Sequence, residues 1–242
     1  MSNQLLRGSE YLGIHLTNGQ VEQFMQYYEL LIEKNKVMNL TTITELDEVI
    51  RKHFIDSLAL VKGLKIEGKK SLIDVGTGAG FPGIPLKIAF PEWKIVLLDS
   101  LNKRVKFLDE VIETLDLKQI ETVHGRAEDI AKNVKYRETF DYSVSRAVAN
   151  LSSLSEYCLP FVKKGGYFIS YKSGNMEEEL QQAKKAIGIL GGEEKEVVKF
   201  ILPNNTNADE EIERTLVFIL KKDRTPRKYP RKAGLPTKEP LY

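Results

Sequence analysis

The spacing of apolar positions changes once along this chain. From residue 4 to 62 they recur every third or fourth position, and after Gly68 they gather into short β-rich runs separated by longer helical stretches. In VEQFMQYYELLIEKN, the residues Val21, Phe24, Met25, Tyr28, Leu31 and Ile32 share one helical face. That pattern predicts an amphipathic helix with Asn18 as its N-cap and Asn35 near its other end. A second helix is expected from 45 to about 61 with Thr44 as its cap, and residues 39–42 as the connection.

Beyond Gly68, strands are expected at 71–75, 94–99, 120–124, 141–145 and 167–171, with helices near 84–89, 103–115, 127–133, 151–161 and 176–190. Strand–helix alternation implies right-handed crossovers and a mostly parallel sheet covered on both faces. Two further strands, at 195–202 and 211–221, are joined by PNNTNADEE, which is too short for a helical crossover, so that pair should be antiparallel. The expected fold is therefore α/β and Rossmann-like, with seven strands that are mostly parallel and a C-terminal antiparallel hairpin, as in class I S-adenosylmethionine-dependent methyltransferases. The division expected is an N-terminal helical extension (1–66), a methyltransferase domain (67–222) and a basic C-terminal tail (223–242).

Four glycines fall between positions 76 and 83, directly after the first strand. Glycine lets a chain turn tightly and lets a ligand approach the backbone, and Pro82 suits the first turn of the helix behind. In an open α/β sheet ligands sit beyond the carboxyl ends of the strands. Gly78, Gly80 and Gly83 formally match the dinucleotide fingerprint G-x-G-x-x-G. Gly78 lies three residues past Val75, however, and in the frame that starts at Gly76 the third place is Phe81. Asp74 at the mouth would repel a pyrophosphate but attract the ammonium or sulfonium of S-adenosylmethionine. Asp74, Gly76, Gly78 and Gly80 are therefore read as a methyl-donor site, with a dinucleotide or phosphate site and a structural turn as alternatives.

Asp99 ends the next strand, where a carboxylate can accept hydrogen bonds from ribose hydroxyls; a helix-capping role with Ser100 and Asn102 is compatible. Ala127 and Glu128 follow the third strand, where a backbone N–H and a carboxylate can read an adenine; the alternative for Glu128 is a solvated first-turn acid. After the fourth strand comes Ser145-Arg146-Ala147-Val148 in place of the Asn/Asp-Pro-Pro-aromatic motif of exocyclic-amine methyltransferases. Arg146 suits a donor carboxylate, the substrate or a phosphate, or else a structural ion pair.

The formal net charge of +2 hides an uneven distribution. Residues 221–242 hold eight of the 36 basic residues and two of the 34 acidic ones, which leaves 28 basic against 32 acidic over 1–220. A basic tail on an acidic body points to a polyanion partner or to a solvated terminus. The single cysteine, Cys158, excludes an internal disulfide framework and reads as a small buried hydrophobe. The three histidines, His15, His53 and His124, have no metal-ligand spacing with it. The opening MSNQLLRGSEYLGIHL lacks the pattern of a secretory leader, and no apolar run approaches a membrane span. A cytoplasmic protein is expected.

VMNLTTI, KHFIDSL, DVGTGAGFPGIPL, GRAED, SRAVA, YKSG and RKYPRKAGLPTKEPL occur in this order. Together they resemble, over roughly 20–242, the bacterial RsmG family, also called glucose-inhibited division protein B. The resemblance implies an enzyme that uses S-adenosylmethionine to methylate N7 of a guanine in the decoding-region loop of 16S ribosomal RNA. It implies cofactor positions at Gly76, Phe81, Asp99, Ser100, Ala127, Glu128 and Arg146. Arg146 and Lys172 are the positioning candidates, and no general base or metal ligand is nominated. The partner expected is 16S ribosomal RNA or the small subunit, an assembly intermediate included, met by a monomer and without a membrane. Arg51, Lys52 and His53 are either an RNA contact or packed helix surface. The rival readings are a nicotinamide-dependent oxidoreductase and a non-catalytic RNA-binding assembly factor.

Overall fold

The computed structural model describes residues 2–146, 149–174, 176–203 and 211–242. Ala147 and Val148 of the SRAVA string, and 204–210 of the connection between the last two strands, lie outside the described residues.

The chain begins with α1 (Ser2–Tyr11) and α2 (Asn18–Met38). The cap of α2 is Thr17, not Asn18. Thr17 Oγ1 accepts the Gln20 N–H at 3.3 Å and Gln20 Oε1 accepts the Thr17 N–H at 2.8 Å, a reciprocal capping box. At the far end Asn39 takes a left-handed conformation (φ 49°), and the Asn35 side chain accepts the N–H groups of Leu40 and Thr41 at 2.6 and 2.9 Å.

The second expected helix is a composite. It runs through α3 (Leu46–Val49), a π-helical turn (Ile50–Ile55), α4 (Asp56–Leu58) and a 3-10 turn (Ala59–Lys62). In the π turn the Asp56 N–H reaches the Arg51 carbonyl, five residues back. The extra residue keeps Ile50, Phe54 and Ile55 in the core while Lys52 and His53 line a cleft. Glu45, not Thr44, stands at the helix start and makes no side-chain cap, and the Thr44 carbonyl instead accepts the Tyr28 hydroxyl at 3.0 Å.

The sheet has seven strands: β1 (Ser71–Val75), β2 (Lys94–Asp99), β3 (Ile120–His124), β4 (Phe140–Ser145), β5 (Val162–Lys172), β6 (Gly192–Ile201) and β7 (Glu213–Lys221). Their order is β3-β2-β1-β4-β5-β7-β6. The first five pair in parallel, and β7 inserts antiparallel between β5 and β6. The connections carry α5 (Gly83–Ala89), α6 (Asn102–Thr114), α7 (Ala127–Ile130), α8 (Leu151–Cys158) and α9 (Glu177–Ile189), and α10 (Leu235–Lys238) lies near the end. Strand order reverses between β1 and β4, which opens a crevice beyond their carboxyl ends.

Side chains alternate across the sheet, so β1 sends Leu72 to one core and Ile73 and Val75 to the other. The first core includes Phe24, Tyr27, Leu31, Phe54 and Leu58, so the N-terminal helices share the core of the sheet. The second lies beneath α8 and α9 and contains Cys158. There burial pushes the thiol well above its ordinary pKa, and it is not a nucleophile.

The C-terminal segment folds back as a strap. Glu156, fully buried, accepts the Arg231 backbone N–H at 2.7 Å and its guanidinium at 2.7–3.1 Å. Arg137 donates to the carbonyls of Thr225 and Tyr229 at 2.8 and 3.0 Å. Lys221 is buried and donates to the Leu159 carbonyl at 2.7 Å. Two of the eight basic residues therefore serve the fold, while Arg224, Arg227, Lys228, Lys232 and Lys238 stay exposed.

Candidate active site

Two clefts open at the carboxyl ends of the strands. The first, of about 300 Å3, is lined by Val75 and Gly76, Leu98, Asp99 and Ser100, Ala127 and Glu128, Ser145, and Tyr157, Gly234 and Thr237. Gly76 (φ +73°) and Gly78 (φ +63°) hold left-handed conformations, and a Cβ on either would point into open space. Gly80 (φ +106°) differs: its Cβ would meet Ile84, the Tyr27 hydroxyl and Leu108 at 2.7–3.0 Å. Gly83 is similarly pressed, against Leu97 and Asp74. The glycines thus divide into two, Gly76 and Gly78, with open space beside the backbone, of which Gly76 lines the cleft, and two that pack the loop onto the core.

Asp74 does not face the cleft. The pleat that turns Val75 toward it turns Asp74 to the opposite face, fully buried. There Asp74 Oδ2 accepts the Thr77 hydroxyl at 2.7 Å and the Gly83 N–H at 2.9 Å, and Oδ1 has no partner among the described residues. Burial raises its pKa to about 7. Its role is to shape the loop from below. Phe81 also leaves the cleft: it is buried and stacks on His53 with ring centroids 4.4 Å apart.

Asp99, at the end of β2, accepts the Gly78 N–H at 2.9 Å and the Leu101 N–H at 2.8 Å. The same carboxylate thus fixes the glycine loop and the turn into α6 while lining the cleft. Glu128 is buried and accepts the Gly234 N–H at 2.8 Å.

The second cleft, of about 460 Å3, is lined by Lys52, His53, Asp56, Arg146, Lys172 and Arg214, with Ile43, Met176 and Glu179 at its sides. Asp56 is buried and receives Arg146 Nη1 and Arg214 Nε, each at 3.1 Å. Lys172 Nζ donates to Glu179 and to the Ala149 carbonyl, each at 2.7 Å. Lys52 pairs with Glu48. One carboxylate between two guanidiniums leaves a net positive cleft. Ser145 lines the first cleft and Arg146 the second, so the two meet at the end of β4.

A family model described as "GidB: rRNA small subunit methyltransferase G" matches residues 20–207. The chain belongs to this family. A "Ribosomal RNA small subunit methyltransferase G" of Lachnoclostridium phytofermentans is 55% identical over 240 residues, covering 99% of this chain and 97% of its own. Its namesake in Acetivibrio thermocellus is 52% identical over 237 residues, covering 98% and 95%. Among solved structures, the fold is similar to that of M. jannaschii TYW2 in complex with AdoMet, with a TM-score of 0.55 and 11% identity over 74% of this chain and 79% of that one. It is likewise similar to precorrin-6y C5,15-methyltransferase of Geobacter metallireducens, with a TM-score of 0.52 and 13% identity over 76% and 92%. Membership favours methyl transfer over nicotinamide chemistry.

The first cleft fits the methyl donor of such a family. Gly76 and Gly78 clear room beside the backbone, carboxylates stand at the end of β2 and in the first turn of α7, and Val75, Leu98, Leu154 and Tyr157 supply apolar walls. Asp56, Arg214, Glu179 and Gly234 are site residues that sequence reasoning did not single out. Asp56 lay within KHFIDSL and Gly234 within the closing string. Arg214 arrives on β7, 158 residues from Asp56, with no local signal.

Proposed function

We propose that this chain methylates N7 of a guanine in the decoding-region loop of 16S ribosomal RNA with S-adenosylmethionine, as a cytoplasmic monomer. The observation that carries the reading is the meeting of an acid-lined cleft and a cationic cleft at consecutive residues, Ser145 and Arg146. Family membership supports the rRNA substrate.

When bound, S-adenosylmethionine supplies an electrophilic methyl group. Asp99 and Glu128 would hold the nucleoside part, and Gly76 and Gly78 would pass beneath the remainder. Arg146, Arg214 and Lys172 would receive the nucleotide and its phosphates. Guanine N7 carries an in-plane lone pair and no proton, so no side chain needs to act as a base. The second cleft matches that requirement, since both ring nitrogens of His53 are engaged in hydrogen bonds. The work left to the chain is orientation and exclusion of water.

The test is incubation of small-subunit rRNA from a strain lacking the protein with methyl-labelled donor, followed by mapping of the label. Label at one guanine N7 is expected. Label on another atom, or none, rejects the reading.

A further inference from the structure

His53 lies where the π turn, the glycine loop and the end of β4 converge. Its Nε2 is 2.8 Å from Thr41 Oγ1 and its Nδ1 is 3.1 Å from Arg146 Nη2. A guanidinium offers donors only, so Nδ1 is the acceptor and the ring proton sits on Nε2, donated to Thr41. The ring lies against Phe81 at an interplanar angle of 18°, and the Arg146 guanidinium lies 4.9 Å from the centre of the same Phe81 ring. A second positive charge beside Arg146 is opposed by burial and by that guanidinium, which together push the His53 pKa down to about 3.

Arg146 has five N–H groups. Nη1 donates to the Lys52 carbonyl at 3.3 Å and to Asp56 at 3.1 Å, and Nη2 to His53. Nε–H and one Nη2 hydrogen have no partner among the described residues. The Asp56 contact alone fixes one corner of a planar group. The His53 contact fixes a second corner and with it the plane.

Resting on the reading of the second cleft as the seat of the target nucleotide, we propose that His53 is a positioning residue for methyl transfer. As a neutral acceptor it holds Arg146 in the orientation that presents its remaining N–H groups to that nucleotide. Phe81 links this arrangement to the glycine loop of the donor cleft.

The test compares His53→Leu, which removes the acceptor, with His53→Asn, whose side-chain oxygen takes the place of Nδ1. Transfer to small-subunit rRNA is followed by kinetics and donor affinity by calorimetry. His53→Leu is expected to lower kcat/KM for RNA by about tenfold to a hundredfold while Kd for S-adenosylmethionine changes by less than about twofold. His53→Asn is expected to recover most of the loss. Equal loss in both variants, a parallel loss of donor affinity, or wild-type kinetics in His53→Leu each overturn the proposal. Should His53→Leu not fold, long-range 1H–15N spectra of the wild type decide: Nδ1 unprotonated over roughly pH 5 to 8 is expected, and a protonated Nδ1 overturns it. A wild-type protein that methylates no small-subunit RNA overturns the reading of the cleft itself, whereas an active wild type with an indifferent His53→Leu overturns only this role.

Discussion

Gly234 donates its backbone N–H to Glu128 at 2.8 Å, which ties the end of the chain to the carboxylate behind β3. With Thr237 it lines the first cleft, the proposed donor site. Removing residues 234–242 should therefore weaken S-adenosylmethionine binding by about tenfold, the order of one charge-assisted hydrogen bond with its packing. Calorimetry checks this; full donor affinity in the truncated protein would show that the wall is not used.

On the proposed reading, the exposed face of the same strap meets RNA. Arg227 and Lys232 are exposed and take no part in anchoring it. Changing each to Ala should reduce the slope of log binding constant against log salt by about 1 for RNA, with donor affinity unchanged. A salt titration that keeps its slope in both variants would remove the strap from the RNA interface.

The two kinds of glycine separate stability from binding. Gly76→Arg or Gly78→Arg fills open space, so donor binding should be lost with little change in melting temperature beyond the cost of a left-handed residue, about 1 kcal/mol. Gly80→Ala forces a Cβ against Ile84 and Tyr27 at a positive φ, and should cost roughly 2 kcal/mol or more. Calorimetry for the donor and thermal melts for the fold distinguish the cases; donor binding retained in Gly76→Arg would contradict the assignment.

Asp74 gives a pH signature. Its folded pKa of about 7 exceeds the ordinary 3.8, so the folded state holds the proton more tightly. The stabilisation is complete below the unfolded value and declines as pH rises toward 7, by roughly 1.4 kcal/mol for each pH unit between those limits. His53, with its pKa lowered to about 3, acts in the opposite sense between there and its ordinary 6.5. The comparison is therefore between wild type and Asp74→Asn, in which only the first contribution disappears. A stability difference between the two that stays constant over this range in denaturant titrations would show that Asp74 titrates normally.

Strand ends were legible because each is marked locally. The bounds 71–75, 94–99 and 120–124 match the folded strands, where apolar runs stop at Gly76, Ser100 and Gly125. Asp99 and Glu128 inherit their places from those ends. What the sequence left hidden depends on orientation and distance. Asp74 sits one residue from Val75 but on the other face, a matter of pleat. The grip of Asp56 on Arg146 and Arg214 joins segments 90 and 158 residues apart. The tail looked like a free basic arm because Glu156 and Arg137, which hold it, lie far upstream. The stacking of Phe81 on His53 involves the π turn, which no spacing in KHFIDSL announced.

The meeting of the clefts at Ser145 and Arg146 has a mechanical consequence. Neighbouring Cα atoms are separated by about 3.8 Å, a span set by covalent bonds rather than by any closing motion. On the proposed reading, the donor and acceptor seats therefore share a boundary that the backbone of β4 sets. On that reading the target base would have to leave its stack to reach this boundary.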